Sequence, residues 1–321
     1  MVQAVLSDIH ANYLALETLT RVLEARWGEH NKYWFLGDVF GYGPEPVESW
    51  EWVRRHCRGR WALGNHDAWL LEETRLDFNK VAEKSIKHHK SILEHEGVLD
   101  EVQEYVRELW EQQINPEVSE EAIDTGLPFF EGEDTLWLFA HGVPYPARER
   151  YIGYLYPWAD IFIKATVERL ERLRKARSLE RVVLFVGHTH FPMVLRFDGA
   201  QLHFESVRYD QWINLDGGKV WLINPGSVGQ PRDGDPRAAY GLFDPERKRV
   251  LLGRCAYSIE RLKGRYVNNA FDEKLAETLI HRLLKPQGGD KFERYRRYYC
   301  RPQWDLKFIY QENNGKEPEV C

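Results

Sequence analysis

The sequence predicts an α/β protein, and three observations carry that prediction. Short apolar runs of four or five residues recur along the chain, each ending in a polar turn that is usually rich in glycine. Runs of this length bounded by glycine read as buried strands. Apolar stripes at helical spacing lie between them, and strand–helix–strand alternation implies an α/β sheet. Composition agrees: 43% of the 321 residues are hydrophobic and 29% charged. That balance suits a globular fold and excludes a disordered chain, a collagen and a coiled coil.

In chain order, Val2–Leu6 is the first predicted strand and runs into Ser7-Asp8-Ile9-His10. Leu14, Leu16, Leu19, Val22 and Leu23 form the stripe of the first helix. Tyr33–Leu36 leads into Gly37-Asp38-Val39-Phe40-Gly41, and Arg60–Leu63 into Gly64-Asn65-His66-Asp67. Residues 68–131 are charged and helical in pattern, so they are expected to form an insertion or cap above the sheet. Leu136–Ala140 runs into His141-Gly142. Ile163, Val167, Leu170 and Leu173 mark a helix ending near Ser178, and Val182–Val186 runs into Gly187-His188-Thr189-His190. Beyond residue 190 strands predominate, at Met193–Phe197, Leu202–Val207, Val220–Ile223, Ala239–Phe243 and Val250–Gly253. Few helical signals separate them, so this half is expected to be antiparallel or mixed. Residues 1–255 thus read as one domain. Residues 256–321 read as a tail packed on it, with one amphipathic helix (Leu275, Leu279, Leu283, Leu284) and a basic-aromatic run, Lys291–Arg301. No internal repeat interrupts this order.

The net charge is −6, from 44 basic and 50 acidic side chains, which is unlike a polycation made to coat nucleic acid. None of the four cysteines forms a Cys-x-x-Cys pair, so reduced thiols and a cytoplasmic location are expected. Met1–Leu6 has no basic lead and no cleavage site, and no apolar run approaches the ~18 residues of a membrane span.

The chemistry lies where the polar residues fall. Five strand ends deliver Asp8, His10, Asp38, Asn65, His66, His141, His188 and His190. In open α/β sheets, ligands bind beyond the carboxyl ends of the strands, so the five loops are expected to converge. Imidazoles with hard carboxylate and amide oxygens suit Mn, Fe, Zn, Ni or Co. There are too many donors for one tetrahedral zinc, and two ions sharing a carboxylate use them economically. In a chain of this composition Gly-His-x-His has an expected count of roughly 0.03, and Gly-Asn-His-Asp roughly 0.002, so chance is a poor account.

On Asp8-Ile9-His10, Gly37-Asp38-Val39-Phe40-Gly41, Gly64-Asn65-His66-Asp67, His141-Gly142 and Gly187-His188-Thr189-His190, the sequence resembles the calcineurin-like metallophosphoesterases. The run Asn224-Pro225-Gly226-Ser227-Val228-Gly229-Gln230-Pro231-Arg232, continued by Asp233-Gly234-Asp235-Pro236, is similar to a bacterial branch that includes small phosphodiesterases. Tyr154-Leu155-Tyr156-Pro157 looks like another mark of that branch. The resemblance covers about residues 1–260 and implies a four-layer α/β/β/α sandwich with a dinuclear centre. Residue by residue, it implies one metal on Asp8, His10, Asp38 and His190, and another on Asp38, Asn65, His141 and His188. Asp38 then bridges the two, together with a water or hydroxide. The resemblance also implies that His66 faces the scissile phosphate without ligating, with Asp67 orienting it. Relatives often carry Arg-Asp shortly after the His-Gly segment. This chain has Tyr145-Pro146-Ala147-Arg148 there, which makes Arg148 the candidate for a substrate contact. In the later turn Asn224, Gly226 and Arg232 are further candidates, since glycine permits close backbone approach.

The activity so implied is metal-dependent phosphoester hydrolysis. Phosphodiester, phosphomonoester, dinucleotide polyphosphate and phosphoprotein substrates all remain open. A small substrate, such as a nucleotide, is favoured by a cap whose ends are tied to site loops and which carries Trp69, Trp110, Phe129 and Phe130. The alternatives are a catalytically silent, metal-bound scaffold for protein partners, and a nuclease. The Lys291–Arg301 run mixes arginine with tyrosine, as single-strand binders do. The negative net charge makes an amphipathic helix the simpler reading, and nucleic acid is not an expected partner. His30, His56, His88, His89, His95, His203 and His281 read as structural, with His88-His89 on a surface helix.

Overall fold

A computed structural model describes residues 2–28, 33–71, 79–114, 127–142 and 160–287. In chain order the elements are β1 (Gln3–Leu6), α1 (Tyr13–Trp27), β2 (Tyr33–Phe35), α2 (Pro46–His56), α3 (Asn65–Ala68), α4 (Lys80–His95), α5 (Leu99–Ile114), β3 (Phe129–Glu131), β4 (Thr135–Ala140), α6 (Asp160–Ala176), β5 (Arg181–Val186), β6 (Met193–Phe197), β7 (Leu202–Phe204), β8 (Trp212–Asn214), β9 (Val220–Asn224), β10 (Ala238–Asp244), β11 (Arg249–Cys255), α7 (Ile259–Asn268) and α8 (Glu273–Leu284).

The strands form two sheets, with orders β2-β1-β10-β11-β8 and β3-β4-β5-β9-β6-β7. β1 is parallel to β2 and antiparallel to β10. In the second sheet β4, β5 and β9 run parallel, while β6 and β7 run antiparallel. Side chains alternate faces along a strand, and here both faces are apolar. Val5, Trp34 and Phe243 of the first sheet meet Trp137, Phe139, Phe185 and Ile223 of the second. The other face of the first sheet, with Ala4, Leu6, Tyr33 and Phe35, packs on the helical side that includes α1, α2 and α5. The other face of the second, with Leu136, Leu138, Val182 and Leu184, covers Ile163, Val167 and Leu170 of α6. Burial on both faces is why the central strands read as unbroken apolar runs. The result is the four-layer α/β/β/α sandwich that the resemblance implied.

Four sequence expectations are corrected. Arg60–Leu63 does not extend a strand; only Trp61 bridges to Phe35, because the chain turns at once into α3. Phe129 and Phe130 belong to β3, paired with β4, so the helical insertion ends before them and they line no cap. The tail has two helices, α7 and α8, rather than one. Val22 and Leu284 face solvent, lying at the flanks of their helical stripes. Residues 288–321, which include the Lys291–Arg301 run, lie outside the described residues, as does the Tyr154–Pro157 segment. No helix among the described residues is long and apolar enough to cross a membrane.

Candidate metal centre

The expected loops do converge at the carboxyl ends of β1, β2, β4 and β5, joined by α3. Cross-links between loops fix them. Asp8 N–H donates to Gly37 O (3.0 Å), His10 N–H to Asp38 O (2.9 Å) and Gly187 N–H to His141 O (2.9 Å). Glycine is required at the closest approaches: a Cβ on Gly64 would stand 2.2 Å from Asp38 N and Oδ1, and one on Gly187 would stand 2.0 Å from Ser7 Oγ. Asp8, His10, Asp38, His188 and His190 all have positive φ, from 48° to 66°. Such backbone costs about 1–3 kcal/mol per non-glycine residue and gathers at functional sites. The loops therefore hold these side chains against a local preference for other conformations.

Two donor clusters result. In one, His190 Nε2 lies 3.1 Å from His10 Nε2 and 3.2 Å from Asp8 Oδ1. In the other, His141 Nε2 lies 3.1 Å from Asn65 Oδ1, 3.0 Å from His188 Nδ1 and 3.3 Å from Asp38 Oδ2. Asp38 Oδ2 is also 3.6 Å from His10 Nε2, so it stands between the clusters. All of these residues are buried.

The donor chemistry fits cations. His10, His141 and His190 donate Nδ1–H to the carbonyls of Phe40 (2.7 Å), Leu36 (2.7 Å) and Gln230 (2.5 Å). In the neutral ring this turns the Nε2 lone pair toward the centre, as second-sphere carbonyls do for metal-binding histidines. Two lone pairs 3.1 Å apart on His10 and His190 repel unless a cation lies between them. Ligands about 2.1 Å from one ion at right angles stand about 3.0 Å apart. Asp8 Oδ1 has no hydrogen-bond partner among the described residues, which also suits a ligand oxygen.

Electrostatics prepare the same state. Burial works to raise the carboxyls of Asp8 and Asp38, but the surrounding imidazoles hold both below the usual range. Burial brings His10 down to about 3, against the pull of Asp38. His188 and His190 are lowered by burial, reinforced by His141 and by Arg232 respectively. His141 moves the other way: burial opposes its charge, yet Asp38 raises it to about 9. Asp38 thus draws positive charge toward itself, as expected of a carboxylate placed for a cation.

His66 lies at the rim of the first cluster. Its ring centroid is 4.7 Å from that of His10 and 4.9 Å from that of Tyr42, and its backbone N–H donates to Asp38 Oδ1 (2.9 Å). Asp67 does not take the expected orienting role. Its carboxylate accepts from Val39 N (2.7 Å), Asp38 N (2.9 Å) and Gly64 N (3.2 Å), so it braces the Asp38 loop. Nor does it favour an imidazolium: burial holds His66 well below its ordinary value, while burial and Asp38 raise Asp67 to about 7.

Of the substrate-contact candidates, Asn224 is buried. It donates to Gly187 O (2.8 Å) and Thr189 Oγ1 (3.0 Å) and accepts from Gly226 N (2.8 Å). Gly226 packs on Ala239 and Pro192, which a Cβ would strike. The polar groups of Asn224 are thus engaged in bracing the turn that carries His188, and Gly226 packs beside it. Asn224→Ala should accordingly cost roughly 2–5 kcal/mol of unfolding free energy, because it strands several buried polar groups. A denaturant titration that found no loss of stability would rule out this bracing role. Arg232 remains at the site, near enough for its charge to lower His66, His188 and His190. Arg148 lies outside the described residues.

Sequence reasoning missed His89. It is fully buried, not on a surface helix: Gly41 N–H donates to its Nδ1 (3.0 Å), and its Nε2 donates to Gly43 O (2.7 Å). The signal was available, since His89 falls on the buried Ala82, Ile86 and Leu93 stripe of α4.

Comparisons with known proteins agree with this geometry. The family model described as calcineurin-like phosphoesterase matches residues 1–222. An uncharacterized protein of Methanocaldococcus jannaschii, MJ0912, is 31% identical over 283 residues, which is 86% of this chain and 96% of that protein. A crystal structure of a metallophosphoesterase from Sphaerobacter thermophilus is 28% identical, with a TM-score of 0.60, over 87% of this chain and 98% of its own. The hypothetical protein PH1004 from Pyrococcus horikoshii shares the fold at 19% identity, with a TM-score of 0.56, over 87% of this chain and 97% of its own. The family match spans every strand end that bears a donor, and with it the chain belongs to the calcineurin-like phosphoesterase family.

Proposed function

We infer that the chain hydrolyses phosphoester bonds in small substrates with two transition-metal ions, manganese being a fitting choice among Mn, Fe, Zn, Ni and Co. The observation that carries this reading is the placing of Asp38 Oδ2 between two histidine-rich clusters, 3.3 Å from His141 Nε2 and 3.6 Å from His10 Nε2. Asp8, His10, Asp38 and His190 would hold one ion, and Asp38, Asn65, His141 and His188 the other. Bound there, such ions clamp phosphoryl oxygens and acidify a water. Asn65 adds an oxygen without charge, which leaves the centre cationic enough for an anionic ester. His66 would face the phosphate at the rim, where the neutral ring favoured by burial can stabilise charge on the leaving oxygen, and where a bound anionic ester would help to place a proton on it for transfer to that oxygen. Arg232 adds a fixed positive charge beside it.

The complete donor set supports a working centre over a silent scaffold. The buried free thiols Cys57 and Cys255 support a reducing, cytoplasmic setting. Cap aromatics do not carry the preference for small esters: Trp69 and Trp110 pack against the first core cluster. Support comes from α4, which reaches the Gly41–Gly43 loop beside His66. The test is a comparison, after loading with Mn²⁺, of a small aryl or nucleotide ester with a phosphoprotein and a DNA duplex at equal phosphate concentration. The small ester is expected to turn over fastest; faster turnover of either macromolecule would sink the size preference, and no turnover of any would sink the activity.

A further inference from the structure

The loop Gly41-Tyr42-Gly43 is gripped by side chains from two segments that hold no candidate ligand. From α4, His89 accepts Gly41 N–H (3.0 Å) and donates to Gly43 O (2.7 Å), and Ser85 Oγ accepts Tyr42 N–H (3.0 Å). From α7, the Tyr266 hydroxyl donates to Tyr42 O (3.1 Å). The backbone held in this way is unusual, with Tyr42 at φ 66° between two glycines. The same loop forms the wall behind His66. A Cβ on Gly41 would stand 2.2 Å from His66 Nδ1, and the Tyr42 ring rests against both His66 and His10.

The His89 bonds also fix its chemistry. A backbone N–H needs a lone pair on Nδ1, so the proton sits on Nε2 and points at the Gly43 carbonyl. An imidazolium could not accept the Gly41 bond, and burial favours the neutral ring. One imidazole of α4 therefore bridges two peptide groups around Tyr42.

We propose that His89 is a positioning residue: its paired bonds to Gly41 and Gly43 set the loop that fixes the His66 ring. The proposal rests on the reading of His66 as the group facing the phosphate. Its structural half is testable without substrate. His89→Leu removes both bonds while keeping an apolar side chain. His89→Gln restores them, since an amide offers an oxygen to Gly41 N–H and an NH₂ to Gly43 O at similar spacing. The full chain, loaded with diamagnetic Zn²⁺ and labelled at histidine, would be compared by imidazole ¹⁵N NMR, with the His66 signals assigned from His66→Ala. The Leu variant is expected to move the His66 signals and the Gln variant to leave them near wild type, while His203, paired with Asp198 at 2.8 Å, stays put in both. Metal content should be equal in all.

On a phosphoester that the wild type turns over, His89→Leu should lose about 10²-fold in kcat, the scale of a small misplacement, with KM little changed. His89→Gln should recover most of that loss. Unmoved His66 signals in His89→Leu, or equal movement in the Leu and Gln variants, would overturn the proposal. If the wild type turns over no ester, the functional reading fails while the NMR comparison still judges His89. If His89→Leu does not fold, His89→Asn, whose shorter amide cannot span both Gly41 N–H and Gly43 O, takes its place in the NMR comparison. Unmoved His66 signals there overturn the proposal as well.

Discussion

Replacing Asp38 with alanine is expected to remove metal and turnover together. One oxygen of this carboxylate accepts the His66 backbone N–H, and the other stands between the two donor clusters. Asp8 and Asp38 are the two carboxylates in the donor set, so the substitution halves the negative charge offered to two cations. It also leaves His10 and His141 facing a vacated space. Losing the metal contribution removes several kcal/mol of transition-state stabilisation, or about 10³-fold or more in rate at ~1.4 kcal/mol per decade. Elemental analysis should fall from two metals per chain in the wild type to fewer than one, with the circular dichroism of a folded protein. Asp38→Asn, which keeps an oxygen at the same place, should retain more metal than the alanine variant. Two metals per chain and normal turnover in Asp38→Ala would refute the shared-ligand assignment.

His66→Ala tests the other half of the site. As a non-ligand, His66 should leave both metals in place when removed. General acid catalysis is typically worth ~10²–10⁴ in rate, about 3–5 kcal/mol. The loss should be of that size for an alkyl ester, whose alkoxide needs a proton, and much smaller for a nitrophenyl ester, whose leaving group does not. Equal losses for both would assign His66 to charge stabilisation, a role that suits the neutral ring favoured by burial. Donor atoms of His10, Asp38 and His66 lie within 4.8 Å of one another, so the metal count matters as much as the rate. A drop in bound metal would make His66 a ligand.

The positions of the candidate ligands were legible because each polar group follows a short apolar run, with a glycine beside it in every case but Asp8-Ile9-His10, although the run before Asn65 and His66 proves not to be a strand. What each side chain bonds to was not legible. Asp67 adjoins His66 in sequence, yet its carboxylate is turned to three peptide N–H groups, and sequence adjacency carries no side-chain direction. Asn224 sits in a glycine-rich turn that reads as a ligand loop, but it is consumed in shaping the neighbouring His188 loop. His89 was hidden because a charged helix with a histidine pair looks solvated, although the spacing of Ala82, Ile86, His89 and Leu93 marks one apolar face. Phe129 and Phe130 read as part of the helical stretch before them. Three residues are too few for period-two alternation to be seen, and only pairing with β4 makes them a strand.

The topology of the first sheet has a consequence for biosynthesis. Every candidate ligand has been translated once His190 is made, and the match to the family model is complete by residue 222. At that length β1 has β2 on one side and nothing on the other, because its second neighbour is β10, with Ala4 opposite Leu242. The loop after β1, which carries Asp8 and His10, is then anchored to an open edge. A nascent chain therefore holds all the donors before it holds the sheet that aligns them, and it exposes a strand edge to mispairing meanwhile. Pairing across so long a sequence separation is slow to form. In the fold, then, the loop that carries Asp8 and His10 leaves a strand whose second neighbour is supplied only by β10, so a chain ended before residue 238 is expected to hold the donors with less of the sheet behind them.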